Sequence, residues 1–235
     1  MLRFEVLTLF PDIFTSFLEE SLIKRAIEKQ YLNVSLVNFR KHGNGKHLQV
    51  DDTPYGGGPG MVLRIEPIAQ TLKEQKEFHR NSGRETHTIL VTPQGRPFSQ
   101  EKARELSRKK AVLTLICGRY EGFDERLRSF VDEEISGGDF ICMGGEVITM
   151  TMIETISRLV PEVLGNQESA VHESFTQPIL EFPQYTRPAS FEGMEVPEEL
   201  KSGNHKVIAQ WREEQALERT KNRRPDLLQC KTKIK

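Results

Sequence analysis

Three glycine-bearing loops constrain this chain most, because each follows a predicted strand: Thr92-Pro-Gln-Gly95 after Thr88–Val91, Gly118-Arg-Tyr-Glu-Gly122 after Ala111–Cys117, and Gly137–Gly145 after Glu133–Ser136. The unbroken apolar run Ala111–Cys117 is what a strand buried on both faces of a parallel sheet requires. Parallel strands need crossovers, and segments with helical periodicity fill the gaps. Leu2–Phe10 and Leu32–Phe39 read as strands around a helix over Thr15–Lys29, which puts Phe17, Leu18, Leu22, Ile23, Ala26 and Ile27 on one face. Ile65–Phe78 and Ser99–Lys110 read as helices, a short helix starts near Asp124, and Glu146–Leu164 reads as a long apolar one. The predicted fold class is α/β with a mostly parallel sheet.

Beyond that alternation the pattern changes. Gly165–Pro178 is polar and aperiodic, as a mobile linker would be. Pro197–Leu228 is mostly helical, with Val207, Ile208, Trp211 and Leu217 as its expected apolar set. The predicted organisation is a domain over 1–164, a linker over 165–178 and a small, mostly helical domain over 179–235.

Charge gives a weaker signal. The net charge is −1, yet from Arg219 to Lys235 seven bases face one acid, Asp226. Such a tail is either a phosphate-binding footprint or a solvated terminus. Cys117, Cys142 and Cys230 form no C-x-x-C pair, which suits a reducing compartment, and Cys117 reads as a core residue. The six histidines form no metal-ligand motif and are expected to be mostly exposed; no metal site is expected. Glu5 interrupts the N-terminal apolar run, so it is not a signal peptide, and no segment approaches the ~18 apolar residues of a membrane span. A cytoplasmic location and no membrane partner are expected.

The glycine loops are where chemistry would sit. Ligands of parallel α/β sheets bind beyond the carboxyl ends of the strands. Glycine there lets backbone approach a ligand closely. Taken singly each loop is ordinary turn chemistry; together they are what a nucleotide-like cofactor needs. No G-x-G-x-x-G follows the first strand and no P-loop, G-x-S-x-G or H-E-x-x-H is present, which disfavours a nicotinamide cofactor, a P-loop triphosphatase, a serine hydrolase and a zincin.

The wording of several segments goes further. Asp51-Asp-Thr-Pro-Tyr-Gly-Gly-Gly-Pro-Gly-Met61, Thr92-Pro-Gln-Gly-Arg-Pro-Phe98 and Ile116-Cys-Gly-Arg-Tyr-Glu-Gly-Phe-Asp-Glu-Arg126 resemble the signature loops of bacterial tRNA (guanine-N1)-methyltransferases. Ser157-Arg-Leu-Val-Pro161, Leu164-Gly165, Pro183-Gln-Tyr-Thr-Arg-Pro188, Ser202-Gly-Asn-His205 and Arg223-Arg-Pro-Asp-Leu-Leu228 are similar too. The resemblance runs in unbroken order from about residue 1 to Leu228.

This resemblance implies a homodimeric SPOUT-type fold with a C-terminal trefoil knot in the first domain. It also implies methyl transfer from S-adenosylmethionine to N1 of guanosine 37 in tRNA, dependence on magnesium, and a tRNA-binding role for the second domain at the anticodon stem-loop. It places the cofactor among Leu90, Val91, Thr92, Pro93, Gln94 and Gly95; Gly118, Tyr120, Glu121 and Gly122; and Gly137, Gly138, Asp139, Phe140, Ile141, Cys142, Gly144 and Gly145. Glu173 matches the family's catalytic aspartate and Arg158 its active-site arginine. Contacts to tRNA are expected from Asp51, Asp52, Tyr55, Gly56, Gly57, Gly58 and Gly60, and from Ser169, Glu181, Arg187 and Arg223, with Lys206, Arg219 and Arg224 as further phosphate contacts. Four positions depart from the family: Glu173, and Gly137, Phe140 and Cys142, where relatives usually carry an aliphatic residue, tyrosine and leucine.

Two other readings compete. A knotted RNA methyltransferase acting on ribose 2′-OH or another base would share the cofactor loops but not the Asp51–Met61 or Pro183–Pro188 wording. A non-enzymatic RNA-binding module would use the basic tail but not three glycine loops at strand ends.

Overall fold

A computed structural model describes residues 1–165 and 173–229. The chain divides into two compact units, Met1–Gly165 and Asn166–Lys235.

The first unit contains strands β1 (Leu2–Thr8), β2 (Leu32–Asn38), β3 (Asp51–Asp52), β4 (Val62–Leu63), β5 (Thr86–Pro97), β6 (Val112–Cys117) and β7 (Glu133–Ser136). Five of them form one sheet in the order β2-β1-β6-β5-β7, with every pairing parallel. Every residue of the central strand β6 is buried, which explains why its sequence is apolar without alternation. Its side chains still alternate in space: Leu113, Leu115 and Cys117 join one core and Ile116 the other.

Helices α1 (Thr15–Leu18), α2 (Ser21–Glu28), α3 (Ile65–Asn81), α4 (Gln100–Ser107) and α5 (Glu146–Ser157) cover the two faces. On one face α2, α4 and α5 bury Ile23 and Ala26, Ala103 and Leu106, and Met152, Ile153 and Ile156. On the other, α3 buries Ile68 and Leu72 beside Leu127 of a 3-10 turn. The result is three layers.

Several elements differ from expectation. The helix predicted over Thr15–Lys29 is broken: Glu20 is extended and Ser21 has φ 55°. The kink lets Phe14 before it and Ile23 and Ala26 after it enter the same core. The helix predicted to reach Leu164 ends at Ser157 with Arg158 as its C-cap, because Pro161 bars the helical conformation at Val160. Asp51–Asp52 is not loop but pairs antiparallel with Val62–Leu63. The strand expected to end at Val91 runs to Pro97; Val91 and Arg96 both pair with Ile135, so 92–95 bulge out between them.

Two histidines depart from the expectation that most are exposed. His79 on α3 is buried and its Nε2 lies 3.0 Å from Glu5 of β1, while the Thr114 hydroxyl donates to the same carboxylate at 3.4 Å. A carboxylate inside a sheet needs such partners. His87 is half-buried, 2.6 Å from Glu133, which also takes Lys102 at 2.7 Å.

The second unit carries a hairpin, β8 (Ser190–Phe191) with β9 (Met194–Glu195), then α6 (Glu198–Lys201), α7 (His205–Arg223) and α8 (Pro225–Gln229). Asn204 caps α7 by accepting from the Lys206 N–H. The apolar set expected there is only half right. Ile208 and Trp211 are half-buried and Ala216 and Thr220 buried, but Val207 and Leu217 are exposed. Each helical residue turns about 100° from the last, so Val207 and Leu217 fall outside the stripe. The Thr220 hydroxyl accepts the Leu180 N–H at 2.8 Å and so holds the preceding segment to α7.

Candidate active site

The sheet order assembles the site. From β5 the chain crosses through α4 inward to β6, then returns past β5 to β7 at the edge. The carboxyl ends of β6, β5 and β7 therefore lie side by side where the crossover direction reverses, the place where open α/β sheets bind ligands. The three glycine-bearing segments meet there around a cleft of about 500 Å³.

Most residues expected to hold the cofactor line this cleft: Leu90 to Gln94 from the bulge; Gly118, Tyr120, Glu121 and Gly122 after β6; and Gly137, Phe140, Ile141, Cys142, Gly144 and Gly145 after β7. Gly95, Gly138 and Asp139 do not. A β-carbon at Gly95 would strike the backbone of Glu134 and Ile135 at 2.5 Å, so this glycine serves the bulge. Gly138 packs on the Phe140 ring, its carbonyl taking the Ser136 hydroxyl at 3.0 Å, and Asp139 faces solvent.

The cleft also has walls the sequence reading missed. Phe123 lies behind Gly118, where a β-carbon would come within 2.8 Å of its ring. Arg128 enters from the 3-10 turn, contacting the Gln94 amide and the Glu134 carboxylate and pairing with Glu125 at 2.7 Å. Arg119, Asp124, Ser136, Met143 and Ile148 complete it. A motif scan has no signal for Arg128 or Ile148, because both arrive from other elements.

Hydrogen bonds stitch the loops together. The Gly145 N–H donates to the Gly118 carbonyl at 2.9 Å, and Arg119 bridges to Gly144. The Glu121 N–H donates to Met61 O at 2.9 Å, the Leu63 N–H to Gly122 O at 2.9 Å and the Asp124 N–H to Leu63 O at 3.0 Å. The β3–β4 hairpin is thus fastened to the cleft wall. Within its loop Gly56, Gly57, Gly58 and Gly60 all have positive φ, and Tyr55 is fully exposed. Asp52 is held by Arg64 at 3.0 Å and accepts from the Thr53 N–H, while the Asp51 carbonyl takes the Gln49 amide.

The sequence profile described as tRNA (guanine-1)-methyltransferase TrmD matches residues 2–230. The chain belongs to this family. It is 50% identical over 226 residues to a tRNA (guanine-N(1)-)-methyltransferase of Syntrophotalea carbinolica, covering 96% of this chain and 90% of that protein. It is 51% identical over 228 residues to one of Staphylococcus haemolyticus, at 97% and 91% coverage, and 50% identical over 228 residues to one of Moorella thermoacetica, at 97% and 90%.

Gly137 has a local cause. A β-carbon there would lie 2.5 Å from Ile148 Cδ1, so Ile148 fills the space that an aliphatic residue would take. Of the remaining positions expected to act, Arg158 is half-buried at the end of α5. In the second unit the half-buried Glu173 accepts the Thr176 N–H at its carbonyl. Glu181 is tied by Ser174 and Gln184, Arg187 precedes Pro188, and Arg223 is exposed in the last turn of α7. Ser169 lies outside the described residues. Among the described residues no group of three or more His, Cys, Asp or Glu side chains is placed to hold a metal, and no helix is long and apolar enough to cross a membrane.

Proposed function

We propose that this protein transfers a methyl group from S-adenosylmethionine to N1 of guanosine 37 in tRNA. One observation carries the reading: the hairpin that would receive guanine is hydrogen-bonded, through Met61 and Leu63, to the loop Gly118–Gly122 that would hold the cofactor. The relatives' name, tRNA (guanine-N(1)-)-methyltransferase, supports methyl transfer to guanine N1 of tRNA. A cleft of about 500 Å³ suits a ligand of this size, and the glycines among its lining let backbone approach that ligand closely.

The sulfonium supplies an already activated methyl. The protein's task is alignment and proton removal. Guanine N1 carries a proton, which would leave as the methyl exchanges its bond to sulfur for one to N1 and the thioether is released. Glu173 is the proposed base, taking the N1 proton on its carboxylate, and Arg158 the cation that stabilises negative charge gathering on O6. To present its Watson–Crick edge the base leaves the loop stack and enters beside the hairpin.

The second unit is the proposed tRNA-binding domain. Arg187, Lys201 and Arg212 line a cleft there together with Tyr185, a basic and aromatic surface of the kind that takes RNA. The exposed apolar side chains of Phe140, Ile141 and Met143 in the loop after β7, and of Val147 at the start of α5, support a homodimer through this surface. The trefoil knot, a cytoplasmic location and magnesium dependence belong to the same proposal.

The test is methyl incorporation from labelled S-adenosylmethionine into tRNA bearing guanine or adenine at position 37. Label on the guanine-bearing RNA alone is expected. Equal labelling of both, or of neither, rejects the reading.

A further inference from the structure

Beneath the cleft lies a charge pair outside the mechanism above. Glu146, the first residue of α5, is 2% exposed. Its Oε1 accepts the Thr8 hydroxyl of β1 at 2.9 Å and its Oε2 lies 3.0 Å from Nε of Arg119. The Arg119 guanidinium stacks over the Phe10 ring at 4.6 Å and reaches toward the Met143 carbonyl at 3.5 Å. Arg119 sits in the loop after β6, whereas Gly144 and Gly145 end the loop after β7. Both loops wall the cleft.

The fit around this pair is tight. A β-carbon at Gly144 would lie 2.4 Å from Arg119 Nε and 2.5 Å from Glu146 Oε2. One at Gly145 would lie 2.9 Å from the Gly118 backbone nitrogen. A buried carboxylate is costly without partners, and Glu146 has a hydroxyl and a guanidinium rather than an apolar neighbour. The sheet could bury an apolar residue here more cheaply, so the pair has a geometric role.

We infer that Glu146 is a positioning residue: it anchors Arg119 and thereby fixes how the loop after β6 sits against the loop after β7 where both line the cleft. Thr8 completes the anchor, since its hydroxyl donates to Glu146 and accepts the Phe10 N–H at 3.0 Å. The inference rests on the proposed cofactor site.

The experiment is calorimetric titration of S-adenosylhomocysteine into the full-length wild type, Glu146→Gln, Arg119→Met, the double variant and Thr8→Val, with tRNA affinity measured in parallel. Glu146→Gln is expected to weaken nucleoside binding by about 10- to 100-fold, because Arg119 then loses the charge that holds it. Affinity for tRNA, which a general loss of fold would lower as well, is expected to hold. The double variant should lose no more than the worse single one, because the two residues act through one contact. Wild-type affinity in a folded Glu146→Gln, or additive losses in the double variant, would overturn the inference. Should Glu146→Gln not fold, Thr8→Val decides: weakened binding supports the inference and unchanged binding overturns it. Failure of the wild type itself to bind would instead reject the cofactor reading.

Discussion

Gly60 of the β3–β4 loop presses against Glu121 of the cleft: a β-carbon at Gly60 would lie 2.4 Å from Glu121 Oε1. Gly60 also has φ +83°, a conformation that L side chains rarely adopt. Gly60→Ala is therefore expected to cost roughly 1 kcal/mol or more in backbone strain. It should also displace the Glu121 side chain, lowering single-turnover methyl transfer by more than the stability loss explains. Urea denaturation beside single-turnover kinetics checks both.

Glu173 carries the proton transfer in the proposed mechanism. Glu173→Gln keeps the shape and removes the base, so the single-turnover rate is expected to fall on the order of 10² to 10⁴. Glu173→Asp, which keeps the carboxylate on a side chain one methylene shorter, should stay near wild type. A Gln variant with nearly full activity removes this residue from the mechanism.

Cys117 and Cys142 should separate in reactivity. Burial pushes the Cys117 thiol well above its ordinary range, and the thiolate is the reactive form. Cys142 is exposed and lines the cleft. Peptide mapping after iodoacetamide treatment should find Cys142 modified in the folded protein and Cys117 only after unfolding. Saturating S-adenosylhomocysteine should slow modification of Cys142.

Glu133 links stability to acid. The His87 hydrogen bond, opposed by burial and reinforced by Lys102, holds its carboxyl at about 2. A carboxyl depressed in the folded state contributes stability above its ordinary value of 4.5 that is lost as pH falls toward 2. Glu133→Gln should lose roughly 1.5–3 kcal/mol at neutral pH, the range for a hydrogen bond to a charged group. Its melting temperature should converge on that of the wild type below pH 4.5.

Glu5 has the opposite sign. Burial raises its carboxyl above the ordinary 4.5, against the pull of His79 and Thr114. The folded state then holds the proton more tightly than the unfolded one, so this group's contribution falls as pH rises through the window above 4.5. Melting curves across that window should slope downward more steeply for wild type than for Glu5→Gln.

Particular elements show what could be read in advance. The run Ala111–Cys117 points to a strand buried in a parallel sheet, which the structure has at Val112–Cys117, and a strand is expected around Glu133–Ser136, where one lies, because both carry local signals. The bulge at 92–95 did not: nothing in Thr92–Gly95 says that Arg96 will pair again with Ile135. Wording shared with a family marked Glu121 and Gly144 as site residues. It did not mark Arg128 or Ile148, which reach the cleft from elements with no motif of their own.

By itself the sequence determined the alternation of strands and helices, the glycine loops at strand ends and membership of a methyltransferase family. Those depend on periodicity, turn chemistry and residue wording, all of which are local along the chain. Only the tertiary structure decided that β5 lies between β6 and β7, that the hairpin is bonded to the cleft wall, and that Glu146 meets Arg119 beneath it. Those are contacts between residues far apart in sequence, selected by packing both faces of one sheet, and no local pattern encodes them.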